Sequence, residues 1–179
     1  MAIDILQDKI RKMKNPLVLD LALPAGQLPQ QLTEQEGSAA AAYGRFCREL
    51  LTALKGTVPA VRVGYTAFSL LGPDGLAEMI RILKEASAMG YYTILEGPYI
   101  LSPMMAQATA DAVFGPAAIY PCDGLILTAY PGSDVVKPYV SKLKGSAEAS
   151  TLNGPYRLSP PPMRPNKVKS DTASSRFSA

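Results

Sequence analysis

The sequence contains no histidine among its 179 residues. This absence excludes Ser-His and Cys-His catalytic pairs, imidazole metal ligands and histidine-based pH switches. Cysteine is nearly as scarce, since Cys47 and Cys122 are the two present. Two cysteines are too few for a zinc cluster, and we interpret them as reduced, buried thiols of a cytoplasmic protein. No metal site is predicted.

Long hydrophobic runs are also missing. No stretch approaches the ~18 consecutive apolar residues that a membrane-spanning helix needs. Residues 1–9 lack the basic region followed by an apolar region that is typical of a secretory signal. These features predict a protein that neither spans a membrane nor is secreted. No glycine-rich phosphate loop follows a predicted strand, so no nucleotide cofactor is expected.

The composition divides the chain into two parts. Apolar residues make up 47% and charged residues 18%, which is typical of a globular protein. The net charge of +3 comes entirely from residues 146–179, which carry five basic and two acidic side chains. This segment is rich in Pro and Ser and lacks helical or strand periodicity. We predict one domain at 1–145 and a basic, disordered tail at 146–179.

Two further readings of the tail were weighed. Its dispersed basic residues, with one Tyr and one Phe among them, fall short of a basic patch or a stacking platform, so nucleic acid is not the expected partner. The change in composition after Gly145 is also compatible with a frameshift or a truncation. The sequence leaves both origins of the tail open.

Before the tail, strand-like and helix-like segments alternate. The apolar runs 17–21, 58–63, 91–95 and 124–128 predict four strands. The segments 39–54, 76–83, 103–113 and 133–143 predict helices after them. Ser38 and Ser102 are placed as N-caps. In the third helix we expect Met105, Ala108, Ala112 and Val113 to form the buried stripe, and we expect Met104 to be in the core as well.

This alternation predicts the α/β class, with a parallel sheet covered by helices. Two architectures are compatible with it. One is an open, doubly wound sheet, and the other is a partial (β/α)₈ barrel of about four βα units, since a complete barrel typically needs ~250 residues. In both, ligands bind at the carboxyl ends of the strands.

Polar residues do follow these strand ends. Asp20, Arg62 and Glu96 lie at the ends of the first three predicted strands, and Thr128 at the end of the fourth. If the strands are neighbours, the first three side chains converge and can bind an anionic small molecule. An ion-paired cluster that only caps the sheet is an equally acceptable interpretation.

Five segments, in order, resemble the first half of orotidine 5'-phosphate decarboxylase of the longer bacterial type. They are KNPLVLD at 14–20, VPAVRVG at 58–64, LGPDGL at 71–76, GYYTILE at 90–96 and TAYPGSDVVKPY at 128–139. The resemblance covers about residues 1–143. It implies a (β/α)₈ barrel that works without metal or cofactor as a lyase of pyrimidine (UMP) biosynthesis, usually as a dimer.

The same resemblance implies altered catalytic positions. The family's Asp-x-Lys-x-x-Asp motif aligns with Glu96, Pro98 and Leu101, so the lysine that protonates the substrate carbanion is replaced. Arg62 takes the place of a strand-2 lysine, and Thr128 that of a loop Asn. The family's early substrate-binding Asp aligns with Ala22, two residues beyond Asp20. The family's phosphate-gripping residues lie near the last strands, beyond the matched segments.

Three hypotheses follow. The chain is a truncated or catalytically degenerate homologue of the decarboxylase, a pseudoenzyme, with Glu96 as the remnant catalytic residue. Alternatively, it is a binding or regulatory module that pairs with itself or with an intact decarboxylase through its open sheet edges. A third hypothesis is a repurposed barrel enzyme that uses Glu96 as acid or base and Arg62 to hold an anion, a nucleotide monophosphate included.

Overall fold

A computed structural model describes residues 2–145 of the chain apart from 99, 101, 129 and 131. The predicted tail at 146–179 lies outside the described residues, and so does Leu101. The elements that contain the described strands and helices follow in chain order. They are α1 (Ala2–Met13), β1 (Val18–Leu21), α2 (Gln30–Glu36), α3 (Ala39–Ala53), β2 (Ala60–Gly64), α4 (Tyr65–Ser69), α5 (Gly72–Ala88), β3 (Tyr92–Glu96), α6 (Pro103–Phe114), β4 (Gly124–Ile126) and α7 (Lys137–Gly145).

The four described strands form one parallel sheet with the order β1-β2-β3-β4. Each strand lies beside the one that precedes it in the chain. A doubly wound sheet reverses its strand order at a switch point, whereas a barrel adds strands in one direction. The observed order is that of four consecutive units of a (β/α)₈ barrel.

One face of the sheet packs against helices and forms the core. Strand residues Leu21, Val61, Val63 and Leu95 are fully buried there together with residues of α3 and α5. The helix residues of this cluster include Tyr43, Cys47, Leu51, Met79, Ile82 and Leu83. Since successive strand residues point to opposite sides, Asp20, Arg62 and Glu96 lie on the other face.

Local signals explain where two helices begin. The Ser38 hydroxyl accepts a hydrogen bond from the Ala41 N–H at 3.1 Å, which confirms the predicted N-cap of α3. Helix α5 has Pro73 in its first turn, where the missing N–H costs nothing. Ser102 precedes α6, as predicted, but its side chain makes no capping hydrogen bond.

The buried stripe predicted for α6 was wrong by about one position. Met104 and Met105 are 78% and 50% exposed, and Ala108 is exposed as well. The side chains that face the core are Ala106, Thr109, Ala110 and Val113. Helix α6 is nearly uniform in hydrophobicity, with Asp111 as its one charged residue, so its sequence does not define which side is buried.

Other element bounds also differ from those predicted. Strand β4 ends at Ile126 instead of at residue 128, and α7 begins at Lys137 after a short 3₁₀ turn at Ser133–Val135. Helices α1, α2 and α4 were not predicted. Helix α2 contains no buried residue and α4 spans five residues, so neither has a recognisable apolar period.

Candidate functional site

Asp20, Arg62 and Glu96 come together at the carboxyl ends of three neighbouring strands. Arg62 lies directly opposite Asp20 in the pairing of β1 with β2. Its guanidinium donates from Nη1 to Oδ2 of Asp20 at 2.5 Å and from Nη2 to Oε2 of Glu96. The predicted convergence of these three side chains is therefore present. We call them the Arg62 cluster.

Glu96 reaches Arg62 from one step farther along the sheet. In the pairing of β2 with β3, Glu96 lies opposite Gly64, two residues beyond Arg62 on the same face. The Arg62 side chain bends toward this end of the sheet and spans both carboxylates. The arrangement uses the reach of arginine and its two terminal nitrogens, which a lysine ammonium does not have.

The Arg62 cluster is partly open to solvent and carries a net charge of −1. The side chains of Asp20, Arg62 and Glu96 are 51%, 30% and 21% exposed. Water screens such pairs, so each contributes on the order of 1 kcal/mol or less to stability. The single guanidinium already faces two carboxylates, which leaves it poorly disposed toward a further anion.

Small residues lie next to Glu96. A Cβ atom placed on Gly64 would lie 2.7 Å from Cβ of Ala22 and 3.7 Å from Oε2 of Glu96. Ala22, which aligns with the family's early substrate-binding Asp, is therefore level with Glu96 and one step beyond Asp20. The Asp20 carboxylate does not take the Ala22 position, because Asp20 is paired with Arg62 in an unshifted register.

The segment after β3 carries the largest chemical change. Gly97 has a positive φ of 86°, and its N–H donates to the Ile126 carbonyl at 3.2 Å, so this turn is tied to the end of β4. Pro98 follows directly and is half-buried. Its ring nitrogen carries no hydrogen and its side chain has no polar atom.

Thr128 does not join the Arg62 cluster in the part of the chain that the structure describes. It lies two residues beyond the last residue of β4 and is half-buried. No hydrogen bond links it to Asp20, Arg62 or Glu96 among the described residues. Its predicted role in substrate binding stays a prediction.

Tyr43 is a buried neighbour of the cluster that the sequence analysis did not identify as such. Burial raises the pKa of its phenol, and the nearby Cys47 and Asp20 raise it further. The ring makes an edge contact with Phe68 at a centroid distance of 4.8 Å. Helical spacing placed Tyr43 in the core, but its proximity to Asp20 depends on how α3 crosses β1.

A separate groove of about 770 Å³ lies at the opposite end of the sheet. It runs between α1 and the turns at Gly56 and Gly90, which precede β2 and β3. None of the residues predicted for the site lines it. Lys9 closes part of the groove by donating to the Gly90 carbonyl at 2.6 Å.

Two searches of the described residues returned nothing. No group of three or more metal-ligating side chains comes together in this part of the chain. None of its helices is long and apolar enough to cross a membrane.

Comparison with known proteins identifies the relatives of this chain. No family model matches the sequence. Orotidine 5'-phosphate decarboxylase of Rhodopirellula baltica is 32% identical over 123 residues, which cover 64% of this chain and 41% of that protein. The enzyme of the same name from Myxococcus xanthus is 25% identical over 107 residues. This chain is homologous to part of orotidine 5'-phosphate decarboxylase.

Solved structures of this family share the fold. A Toxoplasma gondii protein assigned as an orotidine-monophosphate decarboxylase matches with a TM-score of 0.64 at 21% identity, over 77% of this chain and 44% of that one. Leishmania donovani OMP decarboxylase matches with a TM-score of 0.59 at 18% identity, over 79% of this chain and 50% of that one. The chain therefore spans about half the length of its relatives, and the partial (β/α)₈ barrel predicted from sequence is confirmed.

Proposed function

We propose that this chain derives from an orotidine 5'-phosphate decarboxylase of pyrimidine biosynthesis and does not decarboxylate orotidine 5'-phosphate. The observation that carries the proposal is Pro98, which the resemblance aligns with the proton-donating lysine of the family. Homology to decarboxylases supports the ancestry. The loss of activity is argued from the residues of the site.

Decarboxylation of this substrate leaves a carbanion, and a proton must reach it. The nitrogen of Pro98 is bonded to three carbon atoms and has no proton to give. Arg62, which aligns with the strand-2 lysine, keeps its proton at every ordinary pH. The chain therefore places no suitable general acid at these two positions.

The remaining charges of the Arg62 cluster are engaged with one another. Glu96 keeps the chemical type of the family's first motif carboxylate, but its Oε2 accepts from Arg62. Asp20 accepts from the other guanidinium nitrogen. Substrate would have to displace one of these ion pairs before either partner could act on it.

A steady-state assay of the full chain tests the proposal. We expect orotidine 5'-phosphate to disappear at the protein-free rate, with the change in its absorbance as the measurement. Glu96→Gln and the exposed Glu34→Gln form a matched pair of charge-removing variants. Turnover that Glu34→Gln retains and Glu96→Gln loses would contradict the proposal, because it would show a working site at the Arg62 cluster.

A ligand-binding role that reuses Glu96 and Arg62 is the second candidate. The partial exposure of the Arg62 cluster at the carboxyl ends of the strands favours it. UMP is the probe for an anionic, nucleotide monophosphate ligand. Because two carboxylates already face Arg62, we expect calorimetry to find no saturable binding below about 1 mM. Saturable binding that Arg62→Ala abolishes would favour this second candidate.

A further inference from the structure

The face of the sheet that carries the Arg62 cluster is only partly covered. Val18 on β1 is 44% exposed and Ile126 on β4 is 42% exposed. Both point to the same side as Arg62, as the strand pairings show. Parallel sheets normally bury both faces. In a complete barrel, side chains from all eight strands fill the space in front of this face.

Both outer strands also have an unpaired edge within the described part of the chain. Strand β1 pairs with β2 alone, and β4 pairs with β3 alone. Each edge presents backbone N–H and C=O groups that can pair with another strand. The two edges lie at opposite ends of one curved, four-stranded sheet, and all of its strands run in the same direction.

Two such sheets fit together around a two-fold axis. Placing the axis along the centre of the barrel sets β4 of one copy beside β1 of the other at both junctions, and every junction is parallel. Eight strands give a barrel whose interior side chains can fill. We infer that two copies of this chain close one eight-stranded barrel, with β4 of each copy beside β1 of its partner.

The edge residues are compatible with a second copy as the occupant. The side chains of β4 are uncharged, since the strand reads Gly124-Leu-Ile126. On β1 the single charge belongs to Asp20, which Arg62 already pairs. Neither junction therefore brings an unpaired charge against the other copy. The interior-facing Val18, Gly124 and Ile126 are apolar or small, as barrel interiors require.

Closure would bring two Arg62 clusters to one mouth of the barrel. The candidate site would then be built from both copies, and it would be incomplete in a single chain. This inference rests on the sheet and its edges, and it holds whether or not the site has lost decarboxylation.

The mass of the full chain in solution, by light scattering and sedimentation, tests the inference. We expect a dimer, and we expect Ile126→Lys and Val18→Lys to raise its dissociation constant at least about tenfold, because each buries a charge at a junction. Met104→Lys is the matched control, since Met104 is 78% exposed on α6 and away from both edges. It should leave the dissociation constant unchanged.

Hydrogen exchange of the unmodified chain provides a second measurement that needs no variant. Amides of 18–21 and 124–126 should be protected in the dimer and lose protection on dilution, whereas amides of β2 should change least. A folded monomer at all concentrations would overturn the inference. So would a dimer that Met104→Lys breaks and the edge variants do not, or association with an intact decarboxylase alone.

Discussion

Arg62 occupies a central strand, and its two neighbours on adjacent strands supply the carboxylates that hold it. Asp20 is directly opposite and Glu96 is one step farther along the same face. A shift of one residue in either pairing would turn one of these side chains to the other side of the sheet. The Arg62 cluster is therefore a consequence of strand register as much as of residue type.

Removal of Arg62 should cost more stability than removal of either carboxylate. Arg62→Ala leaves Asp20 and Glu96 facing each other without a cation, and we expect a loss of about 1–2 kcal/mol in the free energy of unfolding. Asp20→Asn should cost about 0.5 kcal/mol or less, because that side chain is half exposed. Urea unfolding of the variants measures both losses.

The pairing itself can be isolated by a double-mutant cycle. Arg62→Ala combined with Glu96→Gln should cost less than the sum of the two single changes by about 0.5–1 kcal/mol. Additive costs would show that the two side chains do not stabilise each other, and the ion pair would then have no part in holding β2 to β3.

Cys47 makes stability sensitive to alkaline pH. Burial is the main cause that raises the pKa of its thiol from 9.0 to about 12. The raised pKa means that its contribution is fully present below pH 9 and is lost between pH 9 and 12, as the thiol ionises in the unfolded chain. At pH 10 this one group should lower the free energy of unfolding by about 1.4 kcal/mol relative to pH 8.

Cys47→Ala tests that contribution. The variant should lose about 1.4 kcal/mol less stability than the unmodified chain when urea unfolding is compared at pH 8 and pH 10. Its own cost should be the same at pH 6 and pH 8, where the thiol is neutral in both states. Identical alkaline sensitivity in the two proteins would mean that Cys47 is not the group responsible.

At the scale of elements, α3 and α5 pack closely because Gly44 leaves room for a buried acid. Glu78 on α5 is 8% exposed, and its carboxylate accepts from Arg48 of α3 at 2.7 Å and also from Arg81. A Cβ atom on Gly44 would lie 2.3 Å from Oε2 of Glu78. The glycine is thus required by this contact, and its φ is an ordinary helical one.

Gly44→Ala should therefore destabilise the protein although alanine favours helix by about 1 kcal/mol. We expect a net loss of about 1–2 kcal/mol in thermal or urea unfolding, because the carboxylate must leave its arginine partners. In a Glu78→Ala background the same change should be neutral or stabilising by up to about 1 kcal/mol. A loss in both backgrounds would show that another neighbour opposes the added methyl group.

The four strands and the major helices were predictable because their apolar periods are clear, and the order of elements follows from them. The three missed helices are short or have polar sequences, and α6 is too uniform to reveal its buried face. The Arg62 cluster was predictable because parallel strands end at one edge. Which nitrogen meets which carboxylate, and the place of Ala22 beside Gly64, depend on register, which sequence periodicity does not determine.

At the scale of the whole molecule, the described chain is one half of a familiar architecture. Its sheet has the strand order of a barrel, and it covers about half the length of the decarboxylases it matches. Framework elements are retained, whereas Pro98 and Arg62 differ from the residues that the family's chemistry uses. Loss of decarboxylation and closure by a second copy are separate claims, and each has its own test.

Release of carbon dioxide under single-turnover conditions tests the central claim most directly. The full chain, in molar excess over carboxyl-labelled orotidine 5'-phosphate, would be followed for the label that it frees. Excess protein reveals even a slow reaction, because product release cannot limit the signal. We expect release at the rate of buffer alone. A faster release that Glu96→Gln abolishes would show that the chain supplies a proton without the lysine, and the account would be wrong.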